Sequence, residues 1–302
     1  MKLSYCIVNT DGAAFLPACL EAVRAGPEGE VLVLDNASDD GSGEGADIKL
    51  ERREGKAAND SRLLREAQGE YALLLNEDAE LHPGAAAALV RALDDDPGAA
   101  AVGAQLVSSD GRPVPCAWRL PGVGPALAVA TGTQRLLVTQ SGGTRRREVG
   151  WCQSSALLVR RSAAEQVGYL DPDFFVYSDE TDFSKRLRDA GWRILFEPAA
   201  VATHHNQLST DRAAEARRLA EFHRNRDRYM RKHHSTVERL LTRALWVLAY
   251  LERAALGSDR ARMLRHARHE LVAGSGEDIR EAAAARNRAA ARRTLPENPP
   301  AD

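Results

Sequence analysis

Sulfur chemistry is nearly absent from this 302-residue sequence: its four cysteines, Cys6, Cys19, Cys116 and Cys152, stand far apart and form no C-x-x-C pair. Neither a zinc site nor a disulfide scaffold is indicated, and a reducing cytosol suits such a chain. No apolar run approaches the roughly 18 residues of a membrane span. The opening stretch, Leu3-Ser-Tyr-Cys-Ile-Val8, is too short and wrongly flanked for a signal peptide. An excess of one charge is missing as well: 41 Lys and Arg face 43 Asp and Glu, a net charge of -2, which argues against a dedicated nucleic-acid binder. The first βα turn lacks G-x-G-x-x-G, and no G-x-x-x-x-G-K-[ST] occurs, so a Rossmann dehydrogenase or P-loop enzyme is disfavoured.

What the sequence holds instead is an alternation of short apolar runs with helical patterns. Tyr71-Ala-Leu-Leu-Leu-Asn76 reads as a buried strand ending in Asn76-Glu77-Asp78-Ala-Glu80, a cluster of oxygen ligands. Open α/β sheets place ligands at strand ends, and hard carboxylate and amide oxygens suit Mg2+ or Mn2+, which in turn hold a diphosphate. An isolated N-x-D is more often a strand followed by a polar helix cap, so the surroundings decide. Residues 3 to 8 read as a first strand, Asn9-Thr10-Asp11-Gly12 as a break, and Phe15, Leu16, Cys19, Leu20 and Val23 as a helix face. A second strand, Glu30 to Leu34, ends in Asp35-Asn36-Ala37-Ser38-Asp39-Asp40-Gly41-Ser42. Acidic residues at that place accept hydrogen bonds from a ribose or base in dinucleotide folds. A short third strand is expected over 46–50, helices over 59–67 and 83–93, and a strand over 99–107. Asp94-Asp95-Asp96 follows a helix rather than a strand, which makes it a solvated loop rather than a metal site. The alternation predicts a mostly parallel sheet with right-handed crossovers.

Residues 108–149, rich in Gly, Pro, Ser and Arg, read as a long loop of the kind that acts as a lid. Trp151 to Arg161 reads as a strand, and Ser162 as the cap of a short helix to Val167. A second loaded stretch follows: Phe174-Phe-Val-Tyr177-Ser-Asp179-Glu180-Thr-Asp182-Phe183, three carboxylates within four residues at the start of a helix. The helix dipole favours acids there, while the crowding of like charges raises at least one pKa, which is how a general base is tuned. From Asp211 to Glu270 there are 15 Lys and Arg against 8 Asp and Glu, with leucines at helical spacing that suggest two helices. Basic amphipathic helices lie on anionic lipid, or equally pack on the catalytic domain or on a second subunit to make a homodimer. The expected division is a catalytic domain over 1–210 and a basic helical extension over 211–302 with a frayed end.

Taken in order, Val33-Leu-Asp35-Asn36-Ala-Ser38, Leu75-Asn76-Glu-Asp78-Ala-Glu80-Leu, Phe174 to Asp182, Gly191-Trp192, Pro198 and His204 resemble family 2 glycosyltransferases, especially the bacterial rhamnosyltransferase-like group. The resemblance covers roughly residues 2 to 235. It implies a GT-A fold, an α/β nucleotide-binding sheet, with a nucleoside-diphosphate sugar, a divalent metal (Mg2+ or Mn2+) and an acceptor hydroxyl at the strand ends. Carried onto this chain, Asp35 holds the base or ribose, with Asn9, Asp11, Asn36 and Ser38 lining the donor pocket. Asn76 and Asp78 end the D-x-D equivalent, and His204, or its neighbour His205, is the further metal ligand. Glu77 stands where this group commonly has proline. The family's Glu-Asp base motif is inverted to Asp179-Glu180; by position Glu180 is the base, and Asp182 orients it or bonds its helix. Trp151, Tyr177 and Trp192 are the candidate acceptor contacts.

The expected chemistry is inverting, metal-assisted transfer from the donor to a sugar, lipid-linked glycan or small-molecule hydroxyl, in the cytoplasm or at the inner membrane face, with no nucleic-acid partner. Two other readings stand beside it. A sugar nucleotidyltransferase would carry a Gly-rich basic loop where this chain has Asn9-Thr-Asp-Gly12. A non-catalytic nucleotide-sugar-binding relative is motivated by the inverted pair and by Asn76.

Overall fold

The computed structural model describes residues 1–205, 212–257, 259–273 and 279–293. The chain begins with β1 (Leu3–Asn9), α1 (Leu16–Arg24), β2 (Glu30–Asp35), β3 (Ile48–Lys49), α2 (Lys56–Glu66), β4 (Tyr71–Asn76), β5 (Ala79–Leu81), α3 (Ala85–Asp95) and β6 (Ala99–Val107). It continues through β7 (Ala117–Trp118), α4 (Val123–Ala130), α5 (Gln134–Leu137), β8 (Arg147–Val149), β9 (Trp151–Cys152), β10 (Ala156–Arg160), α6 (Arg161–Gln166), α7 (Asp179–Asp189) and β11 (Arg193–His204). The described helices after the sheet are α8 (Arg212–His233), α9 (Thr236–Leu256), α10 (Arg260–Leu271) and α11 (Ile279–Arg293).

Continuous apolar runs make the centre of the sheet, because helices cover both of its faces and neither face needs polar residues. All seven residues of β1 and the first five of β4 are buried. The strand order is β3-β2-β1-β4-β10-β6-β11-β5, with β8 paired to β11. The β3-β2-β1-β4 half is parallel, as the alternation of elements predicts. The other half is mixed: β10 lies antiparallel between β4 and β6, and β5 and β8 are antiparallel to β11. This mixed α/β sheet flanked by helices keeps the carboxyl ends of β1, β2 and β4 on one edge, with Asn9 opposite Asp35 and Val8 opposite Asn76.

Three local expectations change. Residues 108–149 are not a bare loop: they hold β7, α4, α5 and β8, built from stretches too short for periodicity to mark. The run 151–161 divides at Gln153-Ser154-Ser155 into β9, which pairs with β7, and β10, which enters the main sheet. The 12-residue β11 is the longest strand, and its sequence hides it, since Pro198 interrupts it at a bulge between Glu197 and Val201. The Asp94 run is not merely solvated. Asp94 accepts from the Tyr71 hydroxyl at 2.8 Å and pairs with Lys2 at 2.7 Å, and Asp96 pairs with Arg193, all at the edge opposite Asn76.

The stretch 212–271 forms three helices rather than two. Inside them Arg226 is buried, stacks on Trp246 at 4.3 Å and pairs with Glu270. His223 Nδ1 lies 2.7 Å from Glu270, and its Nε2 lies 3.1 Å from His266. Burial pushes His223 down to about 4, with Arg226 adding to the effect and Glu270 opposing it; burial and the neighbouring His223 push His266 down to about 4. Unfolded, both titrate near 6.5, so between pH 6.5 and 4 the unfolded chain binds more protons than the folded one. Stability from this pair is therefore complete above pH 6.5 and lost as pH falls toward 4. Thermal melts across that range should show a fall of several degrees that His223→Gln/His266→Gln makes shallower; an equal slope in the variant would refute the assignment.

The expected boundary at residues 210/211 and the C-terminal end, 294–302, lie outside the described residues. On either side of the boundary the two parts touch: Asn225 of α8 donates to the Val176 carbonyl at 2.7 Å, and His233 meets Asp182 of α7 at 2.7 Å.

Candidate active site

At the carboxyl end of β1, Asn9 turns its side chain toward the end of β2. Its Nδ2 donates to Asp35 Oδ1 and to Ser42 Oγ, each at 2.8 Å. Asp35 also accepts from the Ser38 backbone N–H at 3.0 Å and from the Ser38 hydroxyl at 2.5 Å. The carboxylate thus caps its own loop, and Gly43 lies so close that a Cβ there would sit 2.4 Å from Asp35 Cγ. The Asn36 side chain is tied to the backbone of Glu54, accepting from its N–H at 2.8 Å. Asp11 accepts from the Asp39 N–H at 2.8 Å and pairs with Arg53. The C-terminal helix α11 reaches this loop as well, with Arg286 donating to Asp39 at 2.9 Å and to the Ala37 carbonyl at 2.6 Å. Gly12 is dictated by crowding: a Cβ would fall 2.3 Å from Asn9 Oδ1 and 2.7 Å from Glu77 Cγ.

Beyond the Pro198 bulge β11 resumes pairing, and its antiparallel register with β5 puts His204 opposite Ala79, beside Asp78. His204 Nε2 lies 3.2 Å from Asp78 Oδ1, 3.2 Å from Asn76 Nδ2 and 3.2 Å from Ser155 Oγ. Both ring nitrogens of His205 are engaged elsewhere, by Glu80 at 2.7 Å and Ser109 at 2.8 Å, so His204 is the one that faces the strand-end acid. Asp78 and His204 are buried, and all three contacts meet the same ring nitrogen. An imidazole nitrogen and a carboxylate oxygen 3.2 Å apart are a donor set that suits a divalent cation, which would take the place of the Asn76 and Ser155 contacts on Nε2. Among the described residues no group of three or more His, Cys, Asp or Glu is placed to hold a metal ion. Two protein ligands are nevertheless enough for Mg2+ or Mn2+, which take their remaining oxygens from substrate phosphates and water. Burial and the adjacent Asp78 charge push Glu77 up to about 8.

The carboxylate helix α7 starts at a strained corner. Tyr177 and Ser178 take φ values of 66° and 61°, left-handed backbone that costs a non-glycine residue about 1–3 kcal/mol. That corner buries Asp179 and leaves Glu180 half-exposed. Burial, then the charge and hydrogen bond of Glu180, hold Asp179 well above the ordinary carboxylate range. One oxygen of each, Asp179 Oδ2 and Glu180 Oε2, is buried without a partner.

Under the pair lies a set the sequence reading missed: Lys56, Asn59 and Asp60 on the first turns of α2. Lys56 Nζ donates to Asp60 at 2.8 Å. Burial works against its ammonium, but the charges of Asp60, Asp179 and Glu180 more than offset that and raise its pKa. Asn59 is fully buried with both polar atoms unpartnered. The available signal was the stripe Lys56, Asn59, Asp60, Leu63: a helix face at i, i+3, i+4, i+7 that turns from apolar to polar at its N-terminal end.

The remaining candidates divide. Asp182 is fully buried and accepts from Arg186 at 2.8 Å, Lys232 at 2.8 Å and His233 at 2.7 Å, so it braces α7 against α8. Tyr177 sits at the corner of α7, edge-on to Phe222. Trp151 stacks on Trp118, ring centroids 4.4 Å apart, two residues before Gln153, whose amide donates to Ser155 at 3.0 Å. Trp192 is not with them. It donates to Gln166 at 2.9 Å and precedes Arg193, which pairs with Ala99 at the amino-terminal end of β6, a strand length from His204. An acceptor contact by Trp192 is corrected on that ground: the α7 helix separates it from its own motif.

A sheet with acids and amides on one carboxyl edge, and a carboxylate-bearing helix facing them, defines a GT-A glycosyltransferase architecture. Solved structures agree on the fold: GalNAc-T7 with UDP, GalNAc and Mn2+ aligns at TM-score 0.59 and 14% identity over 93% of this chain and 55% of its own. The mannosyltransferase PcManGT of Pyrobaculum calidifontis, in complex with GDP-Man and Mn2+, aligns at 0.55 and 16% identity over 99% and 88%. The family model for glycosyl transferase family 2 matches residues 4–168, and the chain belongs to that family. It is 32% identical over 180 residues to an N-acetylglucosaminyl-diphospho-decaprenol L-rhamnosyltransferase of Mycobacterium tuberculosis, covering 55% of this chain and 56% of that one. It is 39% identical over 57 residues to the rhamnosyltransferase WbbL of Escherichia coli, 19% and 22% of the two chains. The chain thus spans about half the length of the first of these relatives, and less of the second.

Proposed function

We propose that the protein transfers a sugar, L-rhamnose foremost, with inversion from a nucleoside diphosphate to a hydroxyl of a lipid-linked acceptor. The observation that carries this reading is the convergence, on one sheet edge, of the Asp35 loop, the Asp78–His204 pair and the Asp179–Glu180 pair. The relative's name supplies the sugar and the acceptor class.

In this reading Asn9, Asp11, Asp35, Asn36 and Ser38 shape the pocket for the base and ribose, and Arg53 and Arg286 balance its acids. Asp78 and His204, with Asn76 aligning the imidazole, are the residues that would hold a divalent ion, whose charge would offset that of the leaving diphosphate. Asp179, the acid of the two that favours its proton, donates it to Glu180 as a hydrogen bond, which fixes the Glu180 side chain. The half-exposed Glu180 carboxylate is then the group that takes the acceptor's proton as the hydroxyl attacks. A single base opposite the leaving group gives direct displacement and an inverted product, and Asp182 acts only by holding α7 in place. The Trp118–Trp151 stack and Tyr177 form the acceptor wall.

Incubation with a panel of nucleoside-diphosphate sugars, Mn2+ and a polyprenyl-diphospho-sugar tests the whole reading. Glycosylated lipid with equimolar nucleoside diphosphate supports it; pyrophosphate exchange or binding without turnover refutes it. Within the donor pocket, Asp35→Ala should weaken nucleoside diphosphate binding by about 1 to 3 kcal/mol, since a charge-assisted hydrogen bond is lost and the loop it caps is loosened. Calorimetry on folded protein decides this, and equal affinities would leave Asp35 with the loop cap alone.

A further inference from the structure

Apart from Met1, every large hydrophobic side chain exposed among the described residues lies between 127 and 137 or between 237 and 272. These stretches form one surface, since α5 packs on α4, α4 on α9 and α9 on α10. A contiguous exposed apolar area on an otherwise balanced protein marks an interaction site.

The layout of the two long helices says what kind. At about 100° per residue, Val237, Leu241, Ala244, Leu248 and Leu251 fall within an arc of about 100° on α9, and no charge lies inside it. The opposite side of the same helix is turned inward, with Thr242, Ala249, Tyr250 and Ala254 buried. The α9 arginines also face inward: Arg239 and Arg243 pair with Asp227, and Arg253 donates to the Val129 carbonyl at 3.2 Å. On α10 the exposed arc is different. Leu264, Leu271 and Val272 share about 140° with Arg260, Arg265 and Arg268. All six of these side chains are exposed, whereas the only acid of α10, Glu270, is buried against Arg226.

We infer that this α4–α5–α9–α10 face is a docking surface for an anionic lipid bilayer, on which the protein lies with α9 and α10 in the interfacial plane. Leucines interleaved with arginines match both requirements of such a surface, apolar area for the acyl boundary and positive charge for the head groups. A second copy of the chain fits less well. A two-fold pairing through the same face gathers both copies of Arg260, Arg265 and Arg268 into one interface, and the exposed arc of α10 carries no acid to offset them, whereas anionic head groups do.

Placement relative to the site agrees. α9 starts three residues after His233, which binds Asp182 at 2.7 Å in the first turn of the helix that carries Glu180. The apolar arc therefore begins beside the proposed acceptor side and runs about 30 Å away from it, the length of a 21-residue helix. This inference rests on the lipid-linked acceptor reading for its purpose, but not for its test.

The full chain is mixed with vesicles of phosphatidylcholine alone or with added phosphatidylglycerol, neither carrying an acceptor, and bound protein is separated by flotation. Partition to the anionic vesicles should be about tenfold stronger or more and should weaken with salt. Leu248→Ser/Leu251→Ser/Leu264→Ser should lose about tenfold or more on anionic vesicles, and Arg265→Ser/Arg268→Ser should lose the preference for them. Circular dichroism and nucleoside diphosphate affinity of both variants should match the parent, because these side chains point to solvent. Absence of flotation with phosphatidylglycerol, or flotation of the leucine variant like the parent, overturns the inference. So does a sedimentation dimer that the leucine changes dissolve while no form floats. Transfer to a detergent-dispersed acceptor that persists without flotation would remove the docking face and leave the acceptor reading standing.

Discussion

Glu180→Gln should lower sugar transfer by about 10²- to 10⁴-fold while nucleoside diphosphate affinity stays near that of the parent. The reasoning starts from the unequal surroundings of two adjacent carboxyls. Asp179 is buried and held well above the ordinary carboxylate range, so of the two it is the acid that favours its proton. Glu180 is half-exposed and receives its hydrogen bond. A glutamine keeps the shape and can still accept from Asp179, but its amide cannot take a proton from an attacking hydroxyl. The donor pocket, on the β1 and β2 ends, is untouched, so the loss falls on turnover. Asp179→Asn is the control: its amide N–H still donates to Glu180, and the expected loss is about tenfold or less. Initial rates with an identified acceptor, measured beside calorimetric donor affinities, decide the matter. A dead Asp179 variant with an active Glu180 variant would exchange the two roles.

What sets Asp179 apart from Glu180 is visible in the backbone and could not be read from the residues. Left-handed conformations at Tyr177 and Ser178 are rare for side-chain-bearing residues, and nothing in Val-Tyr-Ser announces them. They set the angle at which α7 leaves the corner, and so which of the two acids is buried. The motif's presence was legible; its internal geometry was not.

The same division runs through the fold. Strands buried on both faces declare themselves as unbroken apolar runs, which is why β1, β2, β4 and β6 stand within a residue or two of their expected bounds. Direction within the sheet is a tertiary property. Ala-Leu-Leu-Val-Arg of β10 has no feature that distinguishes an antiparallel insertion between β4 and β6 from one more parallel strand. β11 was hidden by Pro198, yet the bulge at that proline is what brings His204 back beside Asp78. The polar start of α2 was missed for a related reason: Lys56, Asn59 and Asp60 read as an ordinary solvated helix end until α7 packs over them, burying Asn59 and Asp60 and leaving Lys56 half-buried. Trp192 erred in the opposite direction, since adjacency to a motif in sequence became a helix length of separation in space.

Asp78→Asn is the second large effect expected, a loss of about 10²- to 10³-fold in turnover together with loss of metal-dependent donor binding. Asp78 and His204 are buried side by side at 3.2 Å, and Asn76 and Ser155 meet the same ring nitrogen, each at 3.2 Å. Asparagine preserves volume and one carbonyl oxygen but removes the charge that a divalent ion would neutralise. It also presents a neutral amide to the imidazole, so the pair can close on itself through an ordinary hydrogen bond. Calorimetry of nucleoside diphosphate binding, run with Mn2+ and with chelator, separates this from general damage to the pocket. The parent should bind more tightly with Mn2+; in Asp78→Asn that increment should vanish while the chelator-insensitive part, carried by the Asp35 loop, persists. His204→Ala should reduce the increment less, because a neutral ligand is lost rather than a charge, and His205→Ala should leave it intact, since both of its ring nitrogens are committed to Glu80 and Ser109. An Mn2+ increment that survives unchanged in Asp78→Asn would place the cation, if one binds, away from the end of β4.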